Sequence, residues 1–362
     1  MKLSIKMIIT TLAAFVAISS AFAKDGKNGV KMEKLKLDKK WDKTFELSDT
    51  VSHKKVTFTN HFGITLAADM YTPKAAPAGG KFAAIAVSGP FGAVKEQASG
   101  LYAHEMAKRG YLTIAFDPSF TGESGGQPRY MNSPDINTED FQAAVDFLSN
   151  QPNVDPEKIG IIGICGWGGM ALNAAAIDTR IKATAVMTMY DMSRIAAGGY
   201  FDENDNEESR HQARVETNKA RTECFAKGEY PTIGGLPEQR PEGETFFSQY
   251  WDYYKTERGY HPRSLNSNMG WALTANTSMM NTRILRYTNE IRNAVLIVHG
   301  EKAHSRYMGE AAYNDMIKDS KYTANKELVI VPNATHCDLY DGGNGSFIPW
   351  DKMADFFKTN LK

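Results

Sequence analysis

The chain has 362 residues, 42% of them hydrophobic, which is enough to bury a large core and suits one big α/β domain with an insertion better than two full domains. Its 42 basic and 42 acidic residues cancel. No overall field therefore draws in nucleic acid or an anionic membrane, and the balance points to small neutral or weakly charged partners.

The first residues, "MKLSIKMIITTLAAFVAISSAFAKDG", place Lys2 and Lys6 before an apolar run and Ala21-Phe22-Ala23 before Lys24. This is the three-part pattern of a secretory signal peptide, residues 1–23, with cleavage expected after Ala23. An uncleaved anchor is the competing reading; the run is short for a bilayer span and ends in a small-x-small site. No later segment reads as a membrane span. Export, to a periplasm or outside the cell, implies an oxidising compartment, yet Cys165, Cys224 and Cys337 cannot all pair within one chain. At least one thiol stays free. Residues 24–48 are lysine-dense and weakly apolar, the composition of a tether or loosely docked arm, and a solvated tail is expected rather than a basic docking site.

From His53 the pattern changes. "KVTFTN" and "ITLAADMYTP" flank "HFG", an opening antiparallel pair with a turn at Gly63. Apolar β-branched runs then alternate with helical periods: "FAAIAVSG", a helix over 98–109, "YLTIAFDP", a helix near 138–148, "IGIIGI", and a helix from Trp167. The series continues with "IKATAVM", "NAVLIVHG", a helix over 307–317, "KELVIVP" and a closing helix in "PWDKMADFFKTNL". Apolar strands separated by helices imply a doubly wound, mostly parallel sheet covered on both faces. Residues 193–290 are too long for an ordinary connection and read as an insertion, a mostly helical cap on the domain spanning 49–362.

Residues 159–173, "IGIIGICGWGGMALN", combine a strand, a tight glycine-flanked turn and a helix, the elbow on which the α/β-hydrolase fold presents its nucleophile. The middle residue is Cys165, between Gly163 and Gly168. A helix N-terminus favours an anion there, and with a histidine it would raise the thiolate fraction of an ordinary thiol. A buried, inert cysteine is the competing reading. The base is expected at His336, in the loop after "KELVIVP", which gives the chain order nucleophile then histidine. The orienting acid is not at its usual place past the glycine of "AVLIVHG", where Ala303 stands. Asp191 is the first candidate, Glu301 the second, and no carboxylate a third outcome. Because a thiol lies only about two pKa units above histidine, a missing acid costs a cysteine less than a serine.

The oxyanion hole is expected from the Gly166 N–H and, since Pro90 has none, from that of Phe91 or Gly92, with Phe91 preferred and a plain glycine turn as the competing reading. Cap aromatics including Tyr250, Trp251, Tyr253, Tyr254, Tyr260 and Trp271 could wall an acyl pocket; Trp167, Trp251, Tyr254, Tyr260 and His261 are its predicted lining. A helical core stripe explains several of them equally well. His299 and His304 flank Gly300 without metal-ligand spacing, so neither metal nor cofactor is expected. Cys337 beside His336 reads as a buried thiol.

The elbow "GICGWGG", the "FG" of "SGPFG" and the histidine loop resemble the dienelactone hydrolase family over roughly residues 52–360, which implies a Cys-His-Asp triad with Cys165 and His336 as nucleophile and base. The chain departs from that family at Ala303, near Gly89, and in its long cap. With "GPFGAVKEQ", "FDPSFTGESGG", "YYKTERGYHPRS" and "HGEKAHSRY" included, it looks closer to capped bacterial hydrolase-like proteins and fungal polyketide transferases, which implies acyl-group chemistry. The expectation is an exported cysteine hydrolase of an ester, lactone or thioester acting on a small-molecule acyl substrate. The alternatives are an acyltransferase of the same mechanism, a non-catalytic binding protein and, more weakly, a peptidase.

Overall fold

In the computed structural model, which describes residues 31–77 and 79–362, β1 (Val51–Thr59) and β2 (Thr65–Pro73) pair antiparallel around Gly63, whose φ of 78° suits glycine. The expected signal peptide lies outside the described residues. The next strands are β3 (Phe82–Ser88), β4 (Leu112–Phe116), β5 (Val154–Ile164) and β6 (Ile181–Met187). After the cap come β9 (Ala294–Gly300) and β10 (Lys326–Val331), and the sheet runs β1-β2-β4-β3-β5-β6-β9-β10, parallel from β4 onward.

The two-residue period of a strand sorts its side chains onto opposite faces. Ile85, Val87, Ala115, Ile162 and Ile164 point to one face, under helices α1 (Ala98–Lys108) and α10 (Trp350–Asn360). Ala84, Ala86, Ile114, Phe116, Ile159 and Ile161 point to the other, under α2 (Pro134–Ser149), α3 (Gly166–Ile177) and α8 (Arg306–Ile317). Helix α2 starts four residues before its expected position because Ser133 accepts from the N–H of Ile136 and Pro134 takes the first turn, where a missing N–H costs nothing. Among the described residues no helix is long and apolar enough to cross a membrane.

The insertion between β6 and β9 carries α4 (Met192–Gly198), α5 (Glu207–Lys227), a ribbon of β7 (Thr232–Ile233) with β8 (Trp271–Ala272), α6 (Phe246–Tyr254) and α7 (Thr277–Met280). Long irregular stretches join these pieces, so the cap is less helical than expected. Along α5 only Cys224 is buried, which its charged sequence explains. Helix α6 drives Tyr253 and Tyr254 into the core, above the C-terminal ends of the parallel strands.

The lysine-dense arm is docked from residue 31 to 48, contrary to the expected solvated tail. Lys43 is fully buried 3.1 Å from Asp69, the Thr44 N–H donates to the Glu96 carbonyl, and the Phe45 ring packs on Tyr71 and His104. Asp42 pairs at 2.8 Å with Arg263 of the cap. A charge count along the arm misses this, because its partners lie far away in sequence.

Those partners belong to a buried ionic cluster. The Lys95 ammonium donates to Glu96 (2.7 Å), Asp117 (2.9 Å) and Glu123 (2.6 Å); Glu96 also meets Arg263 (2.8 Å), and Glu123 meets Lys55 (2.6 Å). Burial pushes the Glu96 carboxyl up, but the charges of Lys95 and Arg263 outweigh it and hold the group below the usual carboxylate range. At Asp117 burial prevails, and its carboxyl is raised.

Candidate active site

Strand β5 runs into α3 through Cys165, whose φ of 55° and ψ of −126° give the strained backbone of a sharp strand-to-helix elbow. The turn requires bare backbone on either side. A Cβ at Gly163 would sit 2.3 Å from the Trp167 carbonyl oxygen, and one at Gly166 would meet the Phe91 Cβ at 2.7 Å. Sulfur thus stands at the head of α3 and lines one cavity with Phe91, Tyr250 and Tyr340, where the Gly166 and Phe91 N–H groups and the two hydroxyls favour its thiolate form.

The Phe91 loop is braced from the cap. The Asn266 side-chain amide donates to the Phe91 carbonyl (2.8 Å), Leu265 N–H donates to that of Gly92 (2.8 Å), and Trp271 stacks on the Phe91 ring at 4.1 Å. Four residues on, Lys95 anchors the loop in the ionic cluster, where its own N–H donates to Asp117 at 2.8 Å. An oxyanion donor needs this kind of fixed backbone.

His336 is fully buried after β10 and is bonded to three hydroxyls. Nδ1 meets Thr188 Oγ1 at 2.8 Å and Ser305 Oγ at 2.7 Å, and Nε2 meets Tyr340 Oη at 2.9 Å. Neither carboxylate candidate touches it. Asp191 instead caps α4, accepting from the N–H groups of Ser193 and Arg194, and Glu301 accepts from Asn333 N–H at 2.8 Å. The hydroxyls come from the same two loops in which the acid was sought. Thr188 lies three residues before Asp191, held at φ 46° where β6 ends, and Ser305 lies two residues past Ala303. Sequence offered one signal for Tyr340, its i+4 spacing from His336, which puts both on one face of a helical turn. Thr188 and Ser305 carried none.

Burial decides the charge state of the site. It pushes the Cys165 thiol up to about 11, although the surrounding hydroxyls and N–H groups favour the thiolate. Burial also lowers His336 well below the ordinary histidine value, helped by His304 and His299. The resting pair is therefore a neutral thiol and a neutral imidazole, not the ion pair expected from the helix end. Cys337 is a second buried thiol, raised well above the ordinary value by burial, and all three cysteines are free.

A cavity of about 180 Å³ opens on the sulfur, lined by Phe91, Cys165, Tyr190, Met192, Ile195, Tyr200, Gly234, Leu236, Phe247, Tyr250, Tyr254, Asn266, Trp271 and Tyr340. None of these carries a formal charge at neutral pH. Of the predicted lining, Tyr254 is present. Trp167 points into the opposite core face against Phe141, and the Trp251 indole N–H donates to the Pro237 carbonyl. Tyr260 is 45% exposed on the cap surface, and His261 is buried 3.5 Å from Asp42. The described residues contain no group of three or more His, Cys, Asp or Glu side chains that could hold a metal.

Behind the pocket, Tyr190 Oη bonds both His304 Nε2 and Tyr250 Oη, while His299 lies buried with neither ring nitrogen partnered among the described residues. Burial lowers both histidines to about 3. In the unfolded chain they protonate near 6.5, so below that pH the unfolded state binds more protons and stability falls as pH drops towards 3. The slope is about 1.4 kcal/mol per pH unit for each histidine, or roughly 2 kcal/mol each at pH 5. Urea midpoints between pH 7 and 4 should fall accordingly, and His299→Leu should flatten the slope by one proton.

The comparisons with known proteins agree with this architecture. A 50%-identical relative, the uncharacterized protein PA2218 of Pseudomonas aeruginosa, aligns over 94% of this chain and 90% of its own length. Its crystal structure superposes with a TM-score of 0.85, covering 91% of this chain and 99% of that one, at 51% identity. Shorter likenesses reach the thiohydrolase aneE of Aspergillus aculeatus, 39% identical over 27% of this chain and 31% of that protein, and the polyketide transferase claH of Penicillium crustosum, 33% over 36% and 42%. The fungal likeness read from the motifs is thus present, whereas the dienelactone hydrolase family is not the one that matches. Residues 63–338, from the first hairpin to the histidine loop, match the X-Pro dipeptidyl-peptidase (S15) family, and the chain belongs to that family of α/β-hydrolase proteins.

Proposed function

We propose that this protein is an exported hydrolase whose nucleophile is Cys165, cleaving an ester, lactone or thioester of a small uncharged acyl group through an acyl-enzyme. The observation that carries the reading is the cavity itself. It is apolar and aromatic, bears no formal charge, and ends on the Cys165 sulfur at the head of α3, where the Phe91 and Gly166 N–H groups favour an anion. Cys165 attacks the carbonyl, Phe91 and Gly166 hold the oxyanion, His336 takes and returns the proton, and water releases the acid.

Size and charge narrow the substrate. A dry cavity of about 150 Å³ holds benzene, so about 180 Å³ suits a benzoyl-sized or short branched acyl group. A carboxylate-bearing acyl group would lose its hydration with no cation to receive it. The family's named activity, release of X-Pro dipeptides, calls for capture of a free amino terminus, and the lining offers no carboxylate for that ammonium. Likeness to a polyketide transferase supports acyl transfer as a second reading, which product analysis with added alcohol or thiol acceptors separates from hydrolysis.

The test is a panel of acyl thioesters and aryl esters from acetyl to palmitoyl, with succinyl esters and X-Pro anilides alongside. Turnover should peak at acyl groups of roughly six to eight heavy atoms, scaled from benzene. Fastest turnover on X-Pro anilides would overturn the proposal.

A further inference from the structure

In the simplest arrangement of a nucleophile and its histidine, the imidazole nitrogen touches the nucleophile directly. Here every hydrogen-bond partner of the His336 ring among the described residues is a hydroxyl, and the one on Nε2 is the Tyr340 phenol, 2.9 Å away, which lines the same cavity as Cys165. Resting on the hydrolase reading above, we propose that Tyr340 is a catalytic residue that carries the proton between Cys165 and His336.

The direction of transfer follows from the hydrogen bonds. Nδ1 faces the Thr188 and Ser305 oxygens, which can accept its N–H. That tautomer leaves the Nε2 lone pair facing Tyr340, so the phenol donates to Nε2 and keeps its oxygen lone pairs for the thiol S–H. Of the chain S–H to O–H to N, the link from O–H to N is in place before substrate arrives, and Cys165 lines the same cavity as the phenol. A phenol suits the position because burial holds Tyr340 well above its ordinary value, so it rests neutral and acts as donor and acceptor together.

The phenol is also fixed in place. Tyr340 sits in the single helical turn α9 (Asp338–Asp341), which is clamped from three sides. Tyr102 Oη donates to the Leu339 carbonyl at 2.6 Å, Arg258 holds Asp341 at 2.6 and 2.8 Å, and Arg258 donates to the Cys337 carbonyl at 3.1 Å. Tyr253 packs edge-on against the Tyr340 ring with centroids 5.0 Å apart. Three elements outside the histidine loop therefore set the position of one hydroxyl.

In the acylation step the S–C bond forms as the carbonyl π pair moves to oxygen, held by the Phe91 and Gly166 N–H groups. The thiol proton passes to Tyr340 Oη while the phenol's own proton passes to Nε2, leaving phenol neutral and His336 an imidazolium. Collapse breaks the bond to the leaving oxygen or sulfur, which takes a proton from Oη as Nε2 refills it. Water then repeats the sequence, giving a proton to Oη and adding hydroxyl to the acyl carbon, and the departing Cys165 sulfur recovers a proton by the same path. The sum is acyl ester or thioester plus water giving acid plus alcohol or thiol.

Tyr340→Phe keeps the ring and removes the carrier. The first experiment needs no substrate: the rate of iodoacetamide alkylation of Cys165 at pH 7 in wild type, Tyr340→Phe and His336→Ala, each shown folded by near-ultraviolet circular dichroism. The proposal expects both variants to slow alkylation by similar factors. The second is turnover on the best ester of the panel, where Tyr340→Phe should lower kcat by about 10²–10⁴ with KM little changed, the range for loss of a proton-transfer group. A proton inventory of wild-type kcat should show two protons moving in one step. If Tyr340→Phe alkylates and turns over like wild type while His336→Ala is slow, imidazole meets sulfur directly; the carrier role fails and the hydrolase reading stands. If neither variant changes alkylation and no ester is cleaved, the hydrolase reading itself fails.

Discussion

Cys165→Ala should lower turnover of the best neutral thioester or aryl ester by at least about 10⁴, to the residual rate that oxyanion donors and binding alone support. Binding of a product acid or ketone analogue should stay within a few-fold of wild type, since the pocket walls are untouched. Cys165→Ser is the sharper comparison. Its hydroxyl would occupy nearly the same place, but it is far harder to deprotonate than a thiol, and the imidazolium it must create is faced by Thr188 and Ser305 with no carboxylate beside it. In a serine triad, changing the aspartate to asparagine costs about 10⁴ in turnover, so Cys165→Ser should lose on the order of 10³ or more. The measurement is burst and steady-state kinetics on one ester across the three proteins. A Cys165→Ala protein that keeps its activity would leave a binding protein or another nucleophile as the explanation.

The largest effect on stability is expected at Lys95. Its ammonium is fully buried among three carboxylates, and Lys95→Met strands that negative charge at a cost of about 3–5 kcal/mol at pH 7, measured by urea denaturation. Without the lysine the buried carboxyls hold their protons more tightly in the fold than in the unfolded chain, so they stabilise at low pH and lose that contribution as pH rises. The difference between wild type and variant should therefore shrink from pH 7 to pH 5. Adding Asp117→Asn should recover part of the loss, because Glu96 keeps Arg263 and Glu123 keeps Lys55, whereas Asp117 is left without its paired cation. Activity should fall too, as Lys95 anchors the loop that aims the Phe91 N–H at the sulfur.

Most of the sheet was legible because a buried parallel strand announces itself as a continuous apolar run, and the elbow because its glycines leave no room for side chains. Cys165 and Gly166 were read from that elbow and Phe91 and His336 from the loops after their strands; the structure sets the first three together at the head of α3, while the His336 ring meets Tyr340. The carboxylate expected beside His336 is instead a pair of hydroxyls, Thr188 and Ser305. Burial makes a neutral imidazole the cheaper state, and two hydroxyls satisfy its Nδ1. The pocket lining was half legible for a different reason. On α6, Tyr250 and Tyr254 share the inward face by their i+4 spacing, but which face turns inward is set by the cap's docking. Trp251, one step round the helix, therefore points away. Trp167 fails likewise, two residues past Cys165 on the core side of α3. Arm docking was invisible because charge density speaks for solvation unless the matching buried charges are known.

The pairing of Asp42 with Arg263 joins residues 221 positions apart, so the start of the described chain is fastened to the far half of the cap. Gln97 adds a second fastening by donating to the Gly259 carbonyl. A lid hinged on that side would have to break a half-buried ion pair to open. The opposite border of the cavity, around Gly234 and Leu236, is tied differently: Leu273 N–H donates to the Pro231 carbonyl, the Trp251 indole to that of Pro237, and Arg240 holds Asp252, all within the cap itself. A ligand that enters this cavity is therefore expected to pass residues 228–245, and backbone amides there should exchange faster than those of the arm-locked half.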